Sequence, residues 1–214
     1  MVPWGMKSVV DKSEGKKVRP LVLATRNPGK IEELRALLQD LPVELRDLTD
    51  FPWLPPLPEP GSTFSENALA KARLVTARTG LPALADDSGL EVEALGGEPG
   101  VYSARYAGPE ADDAANNAKL LAALAQVPAG QRRARFTAVV AVTFPDGREF
   151  LGQGECWGEI GFFPRGDGGF GYDPLFIVAG LGRTMAELSA EEKNRISHRA
   201  RALVQVKEIL KSAL

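Results

Sequence analysis

The chain has 214 residues, with 26 Lys+Arg against 28 Asp+Glu and a formal net charge of −2. Hydrophobic residues make up 44% and charged residues 25%, the balance of a soluble globular protein with a sizeable core, which excludes a polycation that coats nucleic acid. One cysteine, Cys156, excludes a disulfide framework, one histidine, His198, excludes a multi-histidine metal site, and no apolar run reaches the ~20 residues of a membrane-spanning helix.

Residues 1–19 carry a net +3, leaving the rest at −5. They have little apolar periodicity and no secretory h-region, so they read as a disordered N-terminal extension to a single domain over 20–214 in a cytoplasmic protein. Leu21–Ala24 is a short strand, and Arg26-Asn27-Pro28-Gly29-Lys30 is a turn into an amphipathic helix bearing Ile31, Leu34, Leu37 and Leu38 on one face. A strand is expected over 43–48, then a stiff proline-rich loop over 50–61. A helix over 63–79 ends at Gly80. Ala83-Leu84-Ala85 reads as a strand that ends on Asp86-Asp87-Ser88-Gly89. The alternation of Leu90 to Leu95 and the Gly96-Gly97 turn follow, then a helix over 112–125. Strands over 134–144 and 149–159 flank an Asp146-Gly147 hairpin turn. A glycine-rich loop over 166–171 precedes a strand over 175–178. Thr184/Glu187 and Ser189/Glu192 fit capping boxes, and a last helix runs to about residue 213 with Ala200, Leu203, Val204 and Leu210 facing the core. Interspersed helices and strands with one antiparallel hairpin imply an α/β protein with a mixed sheet.

Four patches carry chemistry. The strand–turn–helix at 25–30 aims backbone N–H groups and a helix N-terminus at the space beyond the strand, and adds Lys30, a setting suited to phosphate. It is not a Walker A loop, because Ile31 stands where a magnesium-binding hydroxyl would follow the lysine. Asp86 and Asp87 are adjacent carboxylates that need compensating charge, and on a strand they point to opposite faces, so only one is expected to face the site. Oxygen ligands of this kind suit Mg²⁺ together with substrate phosphates, with Glu59 as a second ligand. In the Gly168–Pro174 segment, glycines admit close approach and Phe170 or Tyr172 offers a face for a flat ring. Lys193 to Arg199 offers donors to a heterocycle, with His198 the lone histidine.

Together and in this order, the segments LATRNPGKIEEL, FSENALAKA, ADDSGLEVEALGGEPGVYSARYAG, GGFGYDPLF and ELSAEEKNRISHRARAL resemble the inosine triphosphate pyrophosphatase family. The likeness spans residues 21–204. Arg26 stands where many members carry a small residue, and the proline-rich stretch departs from the usual pattern. The resemblance implies an elongated single α/β domain of two lobes, with a central mixed sheet flanked by helices and a nucleotide cleft between the lobes. It implies a homodimer that hydrolyses ITP, dITP and XTP to the monophosphate and pyrophosphate with Mg²⁺, without nucleic-acid or membrane partners. Carried over by position, Thr25, Arg26, Asn27, Pro28, Gly29 and Lys30 bind the triphosphate. Lys71 contacts phosphate and Ser88 contacts substrate. Asp87 and Glu59 ligate metal, and Asp87 also accepts a proton from water. Phe170, Gly171, Tyr172, Asp173, Lys193, His198 and Arg199 form the base pocket. A carboxylate beside a divalent cation is a weak base, so positioning of water is as natural a role for Asp87 as proton abstraction. Donors from His198 and Arg199 are expected to pair with a six-carbonyl of the purine and to reject the amino group of adenine.

Overall fold

The computed structural model describes residues 19–213; the expected extension lies outside the described residues except for Arg19. That residue already pairs with Val43, so the sheet starts one residue earlier than the expected domain boundary. Six strands run β1 (Arg19–Leu23), β2 (Val43–Asp47), β3 (Ala83–Val92), β4 (Arg133–Thr143), β5 (Glu149–Ile160) and β6 (Phe176–Val178), in the order β2-β1-β3-β4-β5-β6. β1 is parallel to β2 and β3, and the other pairings are antiparallel, so the sheet is mixed as expected.

Local chemistry sets the helices. α1 (Pro28–Leu38) is capped by the Asn27 side chain and starts at a proline whose missing N–H costs nothing there. α2 (Phe64–Thr79) opens on a Thr63/Glu66 capping box and ends at Gly80, whose φ of 68° needs glycine. α3 spans Asp113–Ala123, α4 spans Ala190–Ile196, and α5 spans His198–Ala213. The single last helix expected from the sequence is thus two, split at Ser197, whose extended backbone re-aims the chain just before His198. Val204 is exposed rather than in the core, and Val206 takes that place.

One apolar cluster fills the space between the sheet, α1 and α5, and another lies on the opposite face under α2. A third, around Leu90, Phe136, Tyr172 and Phe176, forms a second lobe at the far end of the long strands. β3 and β4 cross from one lobe to the other. Hence β3 does not stop at Ala85: it is one ten-residue strand, paired with β4 from Ala83↔Thr143 to Val92↔Ala134, and Asp86 to Gly89 sit in its middle. On β5, a Cβ at Gly152 would lie 2.2 Å from the Ala202 carbonyl oxygen, and one at Gly154 would lie 2.2 Å from that of His198. These two glycines let α5 lie directly on the sheet.

Candidate active site

The turn after β1 is built around its own hydrogen bonds. Thr25 Oγ1 accepts from the Asn27 N–H at 3.2 Å, and Asn27 Oδ1 accepts from the Lys30 N–H at 3.0 Å. Pro28 has no N–H, which leaves the Gly29 N–H as the first-turn donor free to meet a ligand. Arg26 reaches across to donate to the Leu54 carbonyl oxygen at 3.1 Å and so ties the proline-rich loop to the turn.

Asp86 and Asp87 point to opposite faces of β3, as period-two geometry requires. Asp86 is fully buried on the α1/α5 side. Lys30 Nζ lies 2.7 Å from it, Arg199 donates to both its oxygens at 3.1 Å, and the Ser88 hydroxyl donates at 3.0 Å. Burial pushes its carboxyl up, but Arg199 and Lys30 outweigh that and hold it far below the usual carboxylate range. The same arginine also binds Ser88 Oγ at 3.0 Å and Glu33, and Glu33 accepts from Lys193 at 2.6 Å. Lys193 in turn pairs with Asp173. A chain of alternating charge therefore runs Lys30, Asp86, Arg199, Glu33, Lys193, Asp173. Four of the five Arg199 N–H groups are engaged in it, and one on Nη1 is left.

On the α2 side, Asp87 accepts from Lys71 at 2.7 Å and from Asn67 Nδ2 at 3.2 Å. Lys71 also reaches Glu59 at 3.2 Å, and the other Glu59 oxygen holds Arg105 at 2.6 Å. Asn67 is itself buried and accepts from the Gly61 N–H at 2.7 Å, so it joins Asp87 to the end of the proline-rich loop. Burial is the larger effect on Asp87: its carboxyl stands above its ordinary value although Lys71 and Lys30 pull it down. For Lys71 the balance is reversed, since burial works against its charge but Asp87 and Glu59 outweigh it and keep it an ammonium.

Two clefts adjoin these networks and share Asn27, Lys30 and Ala104. One is lined by Thr25, Arg26, Glu59 and Lys71. The other is lined by Ser88, Leu90, Phe136, Phe170 to Asp173, Lys193, His198 and Arg199. Phe170 packs so closely on Gly29 that a Cβ there would come within 2.5 Å of its ring, and Lys193 Nζ lies 4.9 Å from the ring centroid. Tyr172 is buried and donates to the Ser103 carbonyl oxygen at 2.8 Å, so of the two aromatics Phe170 alone is held by its ring rather than by a core hydrogen bond. Gly171 is tied to α3 by Asp113 at 2.6 Å and Asn117 at 2.9 Å. The His198 ring stacks on Phe136 with centroids 4.8 Å apart; burial and then Arg199 lower its pKa well below the usual value, so it is neutral at pH 7.

Of the residues expected at the site, all line one of the two clefts except Asp87, which lies directly behind Lys71, and Pro28 and Gly29, which form the first turn of α1 between the cleft residues Asn27 and Lys30. Asp86, expected to need compensating charge, finds it in Lys30 and Arg199; Asn67, Glu33 and Arg105 were not expected. Helical spacing offered a signal for two of them, since Asn67 stands one turn before Lys71 and Glu33 three residues after Lys30 on shared faces. No group of three His, Cys, Asp or Glu side chains able to hold a metal occurs among the described residues. The Asp87 and Glu59 carboxylates nevertheless converge on one cation, the Lys71 ammonium. One carboxylate lining an open cleft and a second just behind it fit a hard divalent ion that draws its remaining ligands from water and phosphate.

The Ham1 family profile matches residues 21–209. A dITP/XTP pyrophosphatase of Geobacter sulfurreducens is 56% identical over 190 residues, covering 89% of this chain and 96% of its own length. One of Xylella fastidiosa strain 9a5c is 53% identical over 196 residues, covering 90% and 98%. The solved structure of a HAM1 protein from Coxiella burnetii matches with a TM-score of 0.82 and 45% identity, over 91% of this chain and all of that one. With the profile, the relatives and the fold in agreement, the chain belongs to the Ham1 family.

Proposed function

We propose that the protein hydrolyses dITP, ITP and XTP to the nucleoside monophosphate and pyrophosphate, clearing these nucleotides from the pool. The observation that carries this reading is the pair of joined clefts, one roofed by an aromatic ring and one lined by cations beside a buried carboxylate. They suit a ligand that is a flat heterocycle at one end and a polyanion at the other. The names of the relatives, dITP/XTP pyrophosphatase, support the same substrates.

In this reading the 25–30 turn, Arg26, Lys30 and Lys71 bind the triphosphate, whose charge of about −4 the −5 body would otherwise repel. Asp87 faces the attacking water. Burial alone makes its carboxyl easier to protonate than a solvated aspartate, while a divalent ion on it would lower that basicity, so Asp87 positions the water and accepts its proton. Asn67 holds one Asp87 oxygen and Lys71, which lines the phosphate cleft, holds the other, so the carboxylate is fixed beside that cleft. Mg²⁺ is the expected ion for Asp87 and Glu59; when bound it supplies charge neutralisation at the phosphates. The purine lies under Phe170 beside Gly171, Tyr172 and Asp173, with Lys193 and Ser88 at its border. Its six-carbonyl meets His198 and the remaining Arg199 N–H. An adenine amino group there leaves a buried donor unpaired, at a cost of about 1–3 kcal/mol, or roughly 5- to 150-fold in selectivity. The protein acts as a cytoplasmic homodimer without membrane or nucleic-acid partners; no helix among the described residues is long and apolar enough to cross a membrane.

The test is a panel of nucleoside triphosphates with product identification. ITP should yield pyrophosphate far faster than ATP does. Equal rates overturn the specificity, and release of single phosphate overturns the reaction.

A further inference from the structure

We propose that Arg105 is a further substrate-binding residue: held on Glu59 in the free protein, its guanidinium receives the pyrophosphate end of the substrate. The inference rests on the pyrophosphatase reading above and adds a residue to it. Arg105 closes the short 3-10 turn Gly100–Arg105, and its neighbour Ala104 borders both clefts. Its Nη1 lies 2.6 Å from Glu59 Oε2, and Glu59 lines the phosphate cleft, so the guanidinium already stands at the cleft's edge.

The two lysines there are more firmly committed, whereas Arg26, like Arg105, makes one hydrogen bond among the described residues. Lys71 is buried between Asp87 and Glu59, Lys30 is paired with buried Asp86, and Arg26 holds the Leu54 carbonyl. Arg105 is one-third exposed, and among the described residues it makes one hydrogen bond, leaving four N–H groups. Its guanidinium carbon sits 5.3 Å from the ring centroid of Tyr102, which supports the cation without consuming a donor. A planar, permanently charged fork with free donors is the side chain best matched to a phosphate with two exposed oxygens. Exposed ion pairs are weak, so exchange of the Glu59 carboxylate for a phosphate is an accessible step.

The alternative is that Arg105 only latches the proline-rich loop through Glu59. The two roles predict opposite signs for one variant. Inorganic pyrophosphate binding is measured by calorimetry on the full chain with divalent ions chelated, which removes any metal from Glu59. If Arg105 receives phosphate, Arg105→Gln weakens binding about tenfold, the loss of one charge-assisted contact. Glu59→Gln frees the guanidinium and tightens binding, and the double variant binds like Arg105→Gln alone. If Arg105 is only a latch, both single variants weaken binding. A Glu59→Gln gain that persists in the double variant is general charge relief and also overturns the proposal. Inosine monophosphate, held through the base cleft, should bind wild type and all variants alike and so reports the fold. Wild type that releases no pyrophosphate from ITP defeats the parent reading; wild type that releases it, with Arg105→Gln binding pyrophosphate as wild type does, defeats this inference alone.

Discussion

Asp86 and Asp87 are neighbours on one strand, yet their surroundings give them opposite chemistry. Asp86 lies wholly inside, bonded to a guanidinium, an ammonium and a hydroxyl, and is an anion at any ordinary pH. Asp87 has one ammonium and one amide, and burial leaves its carboxyl easier to protonate than normal. The difference lies in the number of cations each face supplies. α1 and α5 bring two to Asp86, while α2 brings one to Asp87 and shares it with Glu59. One aspartate therefore organises positive side chains, and the other is left reactive.

Substitution should separate these roles. Asp87→Asn removes the proposed base and is expected to lower the rate of pyrophosphate release from ITP by about 10²–10⁴-fold while leaving circular dichroism unchanged. Near-normal turnover would mean that the reactive carboxylate lies elsewhere. Asp86→Asn should act on the fold instead. It leaves Arg199 and Lys30 without their shared counter-charge in a dry setting, at about 3–5 kcal/mol, read as a lower urea midpoint. A variant as stable as wild type would show that Glu33 alone satisfies Arg199.

The strand that carries both residues was only half legible in sequence. Alternation predicted that the two carboxylates diverge, but Asp-Asp-Ser-Gly looks like a turn, and the strand was expected to stop before it. What keeps it extended is its ladder with β4, and what permits its carboxylates to be buried there are cations from Lys30, Lys71 and Arg199; no local pattern around residue 86 announces either. The 25–30 turn was legible because its caps and proline act within a few residues. Gly152 and Gly154 were missed for the opposite reason, since their need for no side chain comes from α5, some fifty residues on. They bear on the same comparison, because α5 delivers Arg199 to Asp86. Gly154→Ala drives a methyl into the His198 carbonyl and should cost about 1–3 kcal/mol of stability. By displacing His198 and Arg199 it should raise the KM for ITP more than it lowers kcat. An unchanged KM would mean that the helix start tolerates the shift.

The subtlest consequence is a pair of opposed pH dependences. Asp86 has a folded pKa below its ordinary 3.8, so its stabilising contribution is complete above that value and is lost as pH falls through the lower folded pKa. Asp87 has a folded pKa above 3.8, so the stability linked to its proton is present below 3.8 and is lost as pH rises through the folded pKa. Urea midpoints followed from pH 3.5 to 7 for wild type and each asparagine variant isolate the two terms by subtraction. The wild-type advantage over Asp86→Asn should be full near neutrality and shrink at the acid end. The difference from Asp87→Asn should move the other way, with wild type losing ground as pH rises. Parallel slopes for the two variants would mean that the faces of β3 do not treat their carboxylates differently, and the division between organising and reactive aspartate would fall.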